Sequence, residues 1–251
     1  MDFSLSEERK MLQETVARFF ENNYNDIKKR SEYLDMNDGF SREFWKESSN
    51  LGVISGLISP SFGGLGGSGE DISIIFELIG KSLCIEPFLS SGLLSSTILS
   101  SIKNPKTELI NQIIDGELLV SFAHMEMNNR YDDHFVESKA FFENENWKLN
   151  GSKSFVINGD SADKVIISAR IEGKINDKNG IGLFLVDNNQ INNRSYNTID
   201  GYRAAELNFD NINAELLCED DLALECIIKA NSAGALALSA EAVGIMQVCF
   251  D

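Results

Sequence analysis

Few side chains in this sequence are of the kinds that carry out reactions, and their spacing narrows the field further. The two histidines, His124 and His134, fall in one stretch and could form a proton-transfer pair. Lone histidines on strands are more often hydrogen-bonded structural groups, and that role is the one expected. Cys84, Cys218, Cys226 and Cys249 show no Cys-x-x-Cys spacing and have no histidine nearby. That pattern points away from a metal site and toward buried free thiols in a reducing compartment. The loop Phe62-Gly-Gly-Leu-Gly-Gly-Ser-Gly69 is not followed by Lys-Ser/Thr and does not follow a clear strand. It fails as a phosphate-binding loop and is expected to be a turn packed between helices. Glu241, in an apolar helical run, is a candidate buried carboxylate, with an interface or cap contact as its expected role. The most informative stretch is Trp147–Ala169, where two apolar strands flank the turn Asn158-Gly-Asp-Ser161.

The elements that must position these residues change character along the chain. Ser4 with Glu7 makes a capping-box pattern, and behind it Leu5, Leu12, Val16, Phe19 and Phe20 share one helical face. A second helix is expected from Ser41, carrying Phe44, Trp45 and Leu51. The glycine-rich segment from Ile58 to Gly69 disfavours regular structure. Helical period then returns with Ile72, Ile75, Leu78, Ile79 and Leu83, and further helices are expected over 87–102 and 107–114. From Gly116 the pattern is strand-like, over 118–125, 135–142, 147–153, 165–169, 182–186 and 204–209. After Cys218 a helix resumes with a Glu225–Lys229 pair. From Ala230 onward it has almost no polar face, so it must be buried on all sides. The expected fold class is α+β: an N-terminal helical bundle over 1–116, an antiparallel β-barrel or sandwich over 117–217, and the first helix of an incomplete C-terminal helical bundle over 218–251. A helix left without its covering layer implies a fragment, or half of an intimate complex.

A formal charge of −17 argues against nucleic acid or an anionic membrane surface as a partner. The acidic N-terminus Met-Asp-Phe-Ser-Leu-Ser-Glu-Glu is no signal peptide, and the default address is the cytoplasm. Only Ala230–Phe250 could be mistaken for a membrane span; Asn231, Glu241 and Gln247 count against that reading.

In this order and at these spacings the segments resemble the acyl-CoA dehydrogenases. The matching stretches are Phe3-Ser-Leu-Ser-Glu-Glu, Pro60-Ser-Phe-Gly-Gly-Leu-Gly, Phe122–Asp132, Trp147–Ala169 and Ala240-Glu-Ala-Val-Gly-Ile-Met-Gln. Ala123-His-Met-Glu, Arg130-Tyr-Asp, Lys178–Asp187 and Asp200-Gly-Tyr-Arg-Ala-Ala-Glu look most like the small subunit of pimeloyl-CoA dehydrogenases. The resemblance implies an FAD-dependent oxidoreductase that removes an α-proton from an acyl-CoA thioester and passes a β-hydride to flavin N5. It implies acyl-CoA as substrate, a homo- or hetero-oligomer with another such subunit, and electron-transfer flavoprotein as acceptor. An acidic chain does not exclude so anionic a ligand, because a local basic pocket can hold it.

By that resemblance the flavin-site positions are Phe122, His124, Met125, Arg130 and Tyr131 in one segment and Phe155, Val156 and Ile157 in another. Several depart from the family pattern. Met125 and Met127 stand where Thr and Pro are usual, Arg130-Tyr131 where Gly-Ser is usual, and Ile157 where a Thr hydroxyl is usual, while Glu126 and Asp132 match. Arg130 could exchange a neutral phosphate contact for a charged one. On the last helix, Ser232 and Ala235 stand at substrate-binding Asp and Arg positions, and Gly234 at one of two known positions of the catalytic Glu. No catalytic residue and no metal ligand is therefore expected in the chain. Two readings stay open: a dehydrogenase whose base comes from residues past Asp251 or from a larger partner, and a non-catalytic partner subunit of a heteromeric dehydrogenase whose strands hold no flavin.

Overall fold

Local capping and burial explain most of the helical elements. The computed structural model describes residues 5–24, 26–128 and 131–251. The first helix, α1, spans Glu7–Tyr24 and buries Val16, Phe20 and Tyr24. Ser6 Oγ accepts from Arg9 N at 3.3 Å, so the helix starts behind Ser6, and Ser4 lies outside the described residues. A short helix not expected from the sequence, α2 (Ile27–Leu34), is capped by Asp26 and buries only Tyr33. Its polar surface carries no readable periodicity. Ser41 caps α3 (Arg42–Asn50), which buries Phe44 and Trp45, while Leu51 closes the helix and stays exposed. Phe19 stacks on Phe44 with centroids 4.7 Å apart, and Tyr24 meets Phe44 edge-on at 5.2 Å.

After α4 (Val53–Gly56) and a 3₁₀ turn at Pro60–Phe62, the glycine-rich loop folds tightly back. A side chain at Gly64 would overlap the Ile58 carbonyl, so the glycines serve close packing. Ser68 and Asp71 form a reciprocal capping box at the start of α5 (Gly69–Ser82). Over Phe88–Ser95 the chain winds as a π-helix, with Gly92 N bonded to Pro87 O at 3.1 Å, and continues as α6 (Ser96–Ser101) and then α7 (Thr107–Ile114). Such widened turns are uncommon and recur at functional sites.

Seven strands follow: β1 (Val120–Ala123), β2 (Lys139–Glu143), β3 (Asn146–Ile157), β4 (Lys164–Arg170), β5 (Ile181–Asp187), β6 (Asn192–Asn197) and β7 (Arg203–Glu219). The pairings β4–β5, β5–β7, β7–β3, β3–β2 and β2–β4 close a ring, with β6 added to β7. All are antiparallel except β1–β4 and β2–β4, which are parallel. The parallel contacts arise because β1 and β2 lie end to end along one edge of β4. β4 is buried on both faces: Val165, Ile167 and Ala169 join the barrel core, while Ile166 packs with the helical core. That two-sided burial fuses the barrel to the helices. The hairpin strand expected over 135–142 begins only at Lys139, β6 was not foreseen, and β7 runs on to Glu219.

The last helix, α8, spans Asp220–Phe250 and buries a stripe of small residues: Ala223, Cys226, Ala230, Gly234, Ala237 and Gly244, with Ile227 beside them. The stripe recurs at the helical period; Gly234 faces Leu94 of the π-helix, and the stretch around Gly244 lies against α5 at close range. A Cβ at Gly244 would overlap the Glu77 carbonyl, and one at Gly80 would overlap that of Glu241. As expected of an all-round apolar helix left without its covering layer, burial is one-sided within the described residues. Val243, Met246 and Phe250 are 50%, 61% and 87% exposed, so a second apolar face is uncovered by the described residues. The expected Glu225–Lys229 pair is also absent among them; Lys229 instead donates to Ser101 Oγ at 2.9 Å. By length and composition alone α8 is long and apolar enough to cross a membrane.

Candidate functional site

Three elements converge on a cleft of about 430 Å³, a size usual for small-molecule sites. The π-helix supplies Leu89, Ser90 and Leu94; the end of β1 and the segment after it supply Phe122, His124, Met125 and Tyr131; the end of β3 supplies Phe155 and Ile157. Across from them α8 presents Asn231, Gly234, Ala235 and Leu238. The walls are mostly apolar, with Asp132 and Asp133 also lining the cleft. Asn231 donates to Asp133 at 2.6 Å, which ties α8 to the segment leaving β1.

Six of the eight residues singled out from the sequence thus share one cavity. Val156 does not: its side chain is 1% exposed and sits in the barrel core. The register between β3 and β7 shifts between Lys153 and Val156, and Phe155 takes up the bulge in a left-handed conformation (φ +52°). That conformation is costly for an aromatic residue, and here it turns the Phe155 ring, 46% exposed, toward the cleft. Arg130 lies outside the described residues. On α8, Gly234 and Ala235 line the cleft, whereas the Ser232 hydroxyl bonds back to Ile228 O. A side chain on Gly234 would come within 3.0 Å of Leu94.

Beneath this cavity lies a polar cluster the sequence did not disclose. The fully buried Lys153 ammonium contacts Glu126 Oε1 at 2.5 Å, Ser168 Oγ at 3.0 Å and the His124 carbonyl at 3.2 Å. Burial lowers its pKa to about 8, against the opposing pull of Glu126. Burial also works against the charge on Glu126. The Lys153 ammonium and the hydrogen bonds donated by Ser138 N (3.0 Å) and Ser138 Oγ (2.7 Å) outweigh it, and that carboxyl is held below its usual range. His124 Nδ1 meets Ser168 Oγ at 2.9 Å, and its ring lies parallel to Phe122 with centroids 5.8 Å apart. Burial, reinforced by Lys153, pushes the imidazole down to about 3, so it is neutral. Lys153 stands between Ser152 and Ser154, so no local pattern marks it as inward or identifies its partners.

The remaining candidates sort as follows. His134 bonds Asp132 through Nδ1 at 2.8 Å and does not line the cleft, so the two histidines are not a proton-transfer pair. Cys84, Cys218 and Cys226 are buried free thiols; Cys249 is exposed, because it sits on the open part of α8. Glu241 Oε1 accepts from Tyr202 at 3.5 Å, and burial followed by Asp200 raises its pKa to about 7. No group of metal-ligating side chains occurs among the described residues.

Comparison with known proteins matches this architecture. The family model for the acyl-CoA dehydrogenase N-terminal domain matches residues 6–117, and that for the acyl-CoA dehydrogenase middle domain matches residues 121–212. Mitochondrial isovaleryl-CoA dehydrogenase from Pongo abelii is 26% identical over 265 residues, covering 98% of this chain and 61% of that protein. The chain therefore spans about three fifths of that relative's length. Butyryl-CoA dehydrogenase from Megasphaera elsdenii superposes with a TM-score of 0.85 at 19% identity, over 99% of this chain and 68% of that one. An FAD complex of PigA does so with a TM-score of 0.85 at 20% identity, over 99% and 67%. At those identities the superpositions establish the fold.

Proposed function

The chain belongs to the acyl-CoA dehydrogenase family, and on that premise we propose that it forms the helical and barrel parts of an FAD-dependent enzyme that dehydrogenates an acyl-CoA thioester. The observation that carries the reading is the cleft, where Phe122, His124, Met125, Phe155 and Ile157 stand side by side opposite the small residues Gly234 and Ala235. Its size, its apolar walls and one shielded ring nitrogen with no partner among the described residues, His124 Nε2, suit a flat heteroaromatic ring with acceptors on its edge. Phe155 and Ile157 would lie against the ring, and Phe122, His124 and Met125 would border it. When bound, the flavin supplies the acceptor for a hydride from the acyl β-carbon.

This chain's own residues exclude water from that cleft and orient what enters it. Removing an α-proton beside a thioester carbonyl needs a positioned base, worth about 10²- to 10⁴-fold in rate. Gly234 and Ala235 offer none. We assign the base to a helical segment that covers the open face of α8, carried either by further residues of a longer chain or by a partner subunit. α8 is read as a bundle helix and not a membrane span, because its small-residue stripe packs against the π-helix and α5 and it carries the half-buried Glu241. The cytoplasm is the expected compartment, and electron-transfer flavoprotein the expected acceptor.

The test is an absorption spectrum of the purified protein in its natural assembly, which is expected to show oxidised flavin bands. An assembly without those bands that also takes up no added FAD overturns the reading. The second reading, a non-catalytic subunit in a heteromeric enzyme, is favoured by one observation: Gly234 carries no carboxylate, and a side chain there would press on Leu94 at 3.0 Å. Flavin counted per subunit pair separates the two, since a single flavin per pair excludes two equivalent sites.

A further inference from the structure

The hydrogen-bond chain beneath the cleft fixes where the proton of His124 resides. A lysine ammonium has three hydrogens, and Lys153 directs them to Glu126 Oε1, Ser168 Oγ and His124 O. Ser168 Oγ is therefore an acceptor toward Lys153, and its own hydrogen has one other polar neighbour among the described residues, His124 Nδ1 at 2.9 Å. Nδ1 accepts, so a neutral imidazole must carry its hydrogen on Nε2. The cationic alternative is opposed by burial and by the Lys153 ammonium, with Glu126 and Asp132 pulling weakly the other way. Nε2 is shielded from solvent, has no partner among the described residues and belongs to a ring that lines the cleft. A donor buried without an acceptor destabilises the fold. Such a cost is tolerated where a ligand atom completes the bond.

We propose that His124 is a tautomer-locked neutral hydrogen-bond donor, its Nε2–H reserved for an acceptor atom on the ligand that fills the cleft. The acceptor is a carbonyl-type oxygen or ring nitrogen, which either a flavin edge or an acyl thioester supplies. The identity of those two ligands rests on the proposed function; the protonation state of the ring rests on the structure alone. Lys153 and Ser168 act through His124 and are positioning residues: they set which ring nitrogen faces the ligand.

The chain has two histidines, so ¹⁵N-histidine labelling gives two ring spin systems, and His124→Leu assigns them. The His124 ring of the wild-type protein is expected to stay neutral with hydrogen on Nε2 from about pH 5 to about pH 8. Ser168→Ala is expected to release it into a mixture of tautomers. FAD is then titrated alone, followed by butyryl-CoA on the FAD-loaded protein. One of the two is expected to shift the Nε2–H signal and slow its exchange. His124→Leu should weaken binding of that same ligand by about tenfold, with partial recovery in His124→Gln. Hydrogen on Nδ1, or a ring that protonates near its ordinary value, overturns the inference. So does a ligand that binds while Nε2 is unmoved and His124→Leu keeps wild-type affinity. Failure of the wild-type protein to bind either ligand overturns the proposed function and, with it, the ligand role of His124.

Discussion

Glu126 and Lys153 form a pair in which each charge depends on the other for its place in the interior. Their side chains are 3% and 0% exposed. Removing one partner from such a pair leaves a buried charge without compensation, and the loss is typically about 3–5 kcal/mol. Lys153→Met is expected to lower the unfolding free energy by that order in urea titrations; a loss below about 1 kcal/mol would mean the barrel relaxes around the carboxylate. Glu86 raises a different matter. It is 1% exposed and accepts from Tyr24 at 2.6 Å, and burial raises its pKa from 4.5 to about 7. An unfolded chain gives up that proton near 4.5, so between these values the folded state holds one proton more. Its contribution is full below about pH 4.5 and lost as the pH rises through about 7, on the order of 3 kcal/mol in all. Glu86→Gln should flatten stability between about pH 5 and about pH 8, read from denaturant midpoints; an unchanged slope assigns the pH dependence to other groups.

Between elements, the tightest constraint is the approach of α8 to α5. At Gly244 a side chain would meet backbone, which cannot swing aside as a flexible side chain can. Gly244→Ala is expected to cost about 3 kcal/mol or more by prising the helices apart. Gly69→Ala is the control, since its new methyl would stand 3.4 Å from Leu236 at ordinary contact, and it should be neutral or slightly stabilising. Equal melting temperatures for the two variants would show that α8 does not dock as described. The elements also mark how far sequence reading reaches. α3, α5, α7 and the strands β3, β4 and β5 were legible because a buried face writes a period into the residues. α2 and β6 were not, since the polar runs Lys28-Lys-Arg30 and Asn192-Asn-Arg194 carry no period. In the site, Phe122, Met125 and Phe155 could be named through the family resemblance. The inward turn of Val156 follows from a bulge and a left-handed Phe155, which β-propensity gives no hint of. The Lys153–Glu126–Ser168 chain joins three strands and their connections, so no local window contains it.

For the whole molecule the governing fact is an apolar helix face that nothing among the described residues covers. Val243, Met246 and Phe250 fall on that face of α8, and water contact with large apolar side chains is unfavourable by roughly 25 cal/mol per Å² of apolar area. Exposed patches of this kind drive association until they are covered. The 251-residue protein by itself should therefore sediment as a species larger than a monomer at tens of micromolar. Met246→Lys with Phe250→Lys should return it to a monomer without loss of helical circular dichroism, because both side chains are exposed. Supplying the covering bundle, on a longer chain or on a partner subunit, should have the same effect on the wild type and at the same time raise flavin occupancy. Those two responses come from one surface, since α8 closes the cleft on its inner side and would carry the bundle on its outer side. A wild-type chain that is monomeric at that concentration, or a covering segment that restores a single size without any gain in flavin, would separate the two faces of α8 and remove the link between assembly and the site.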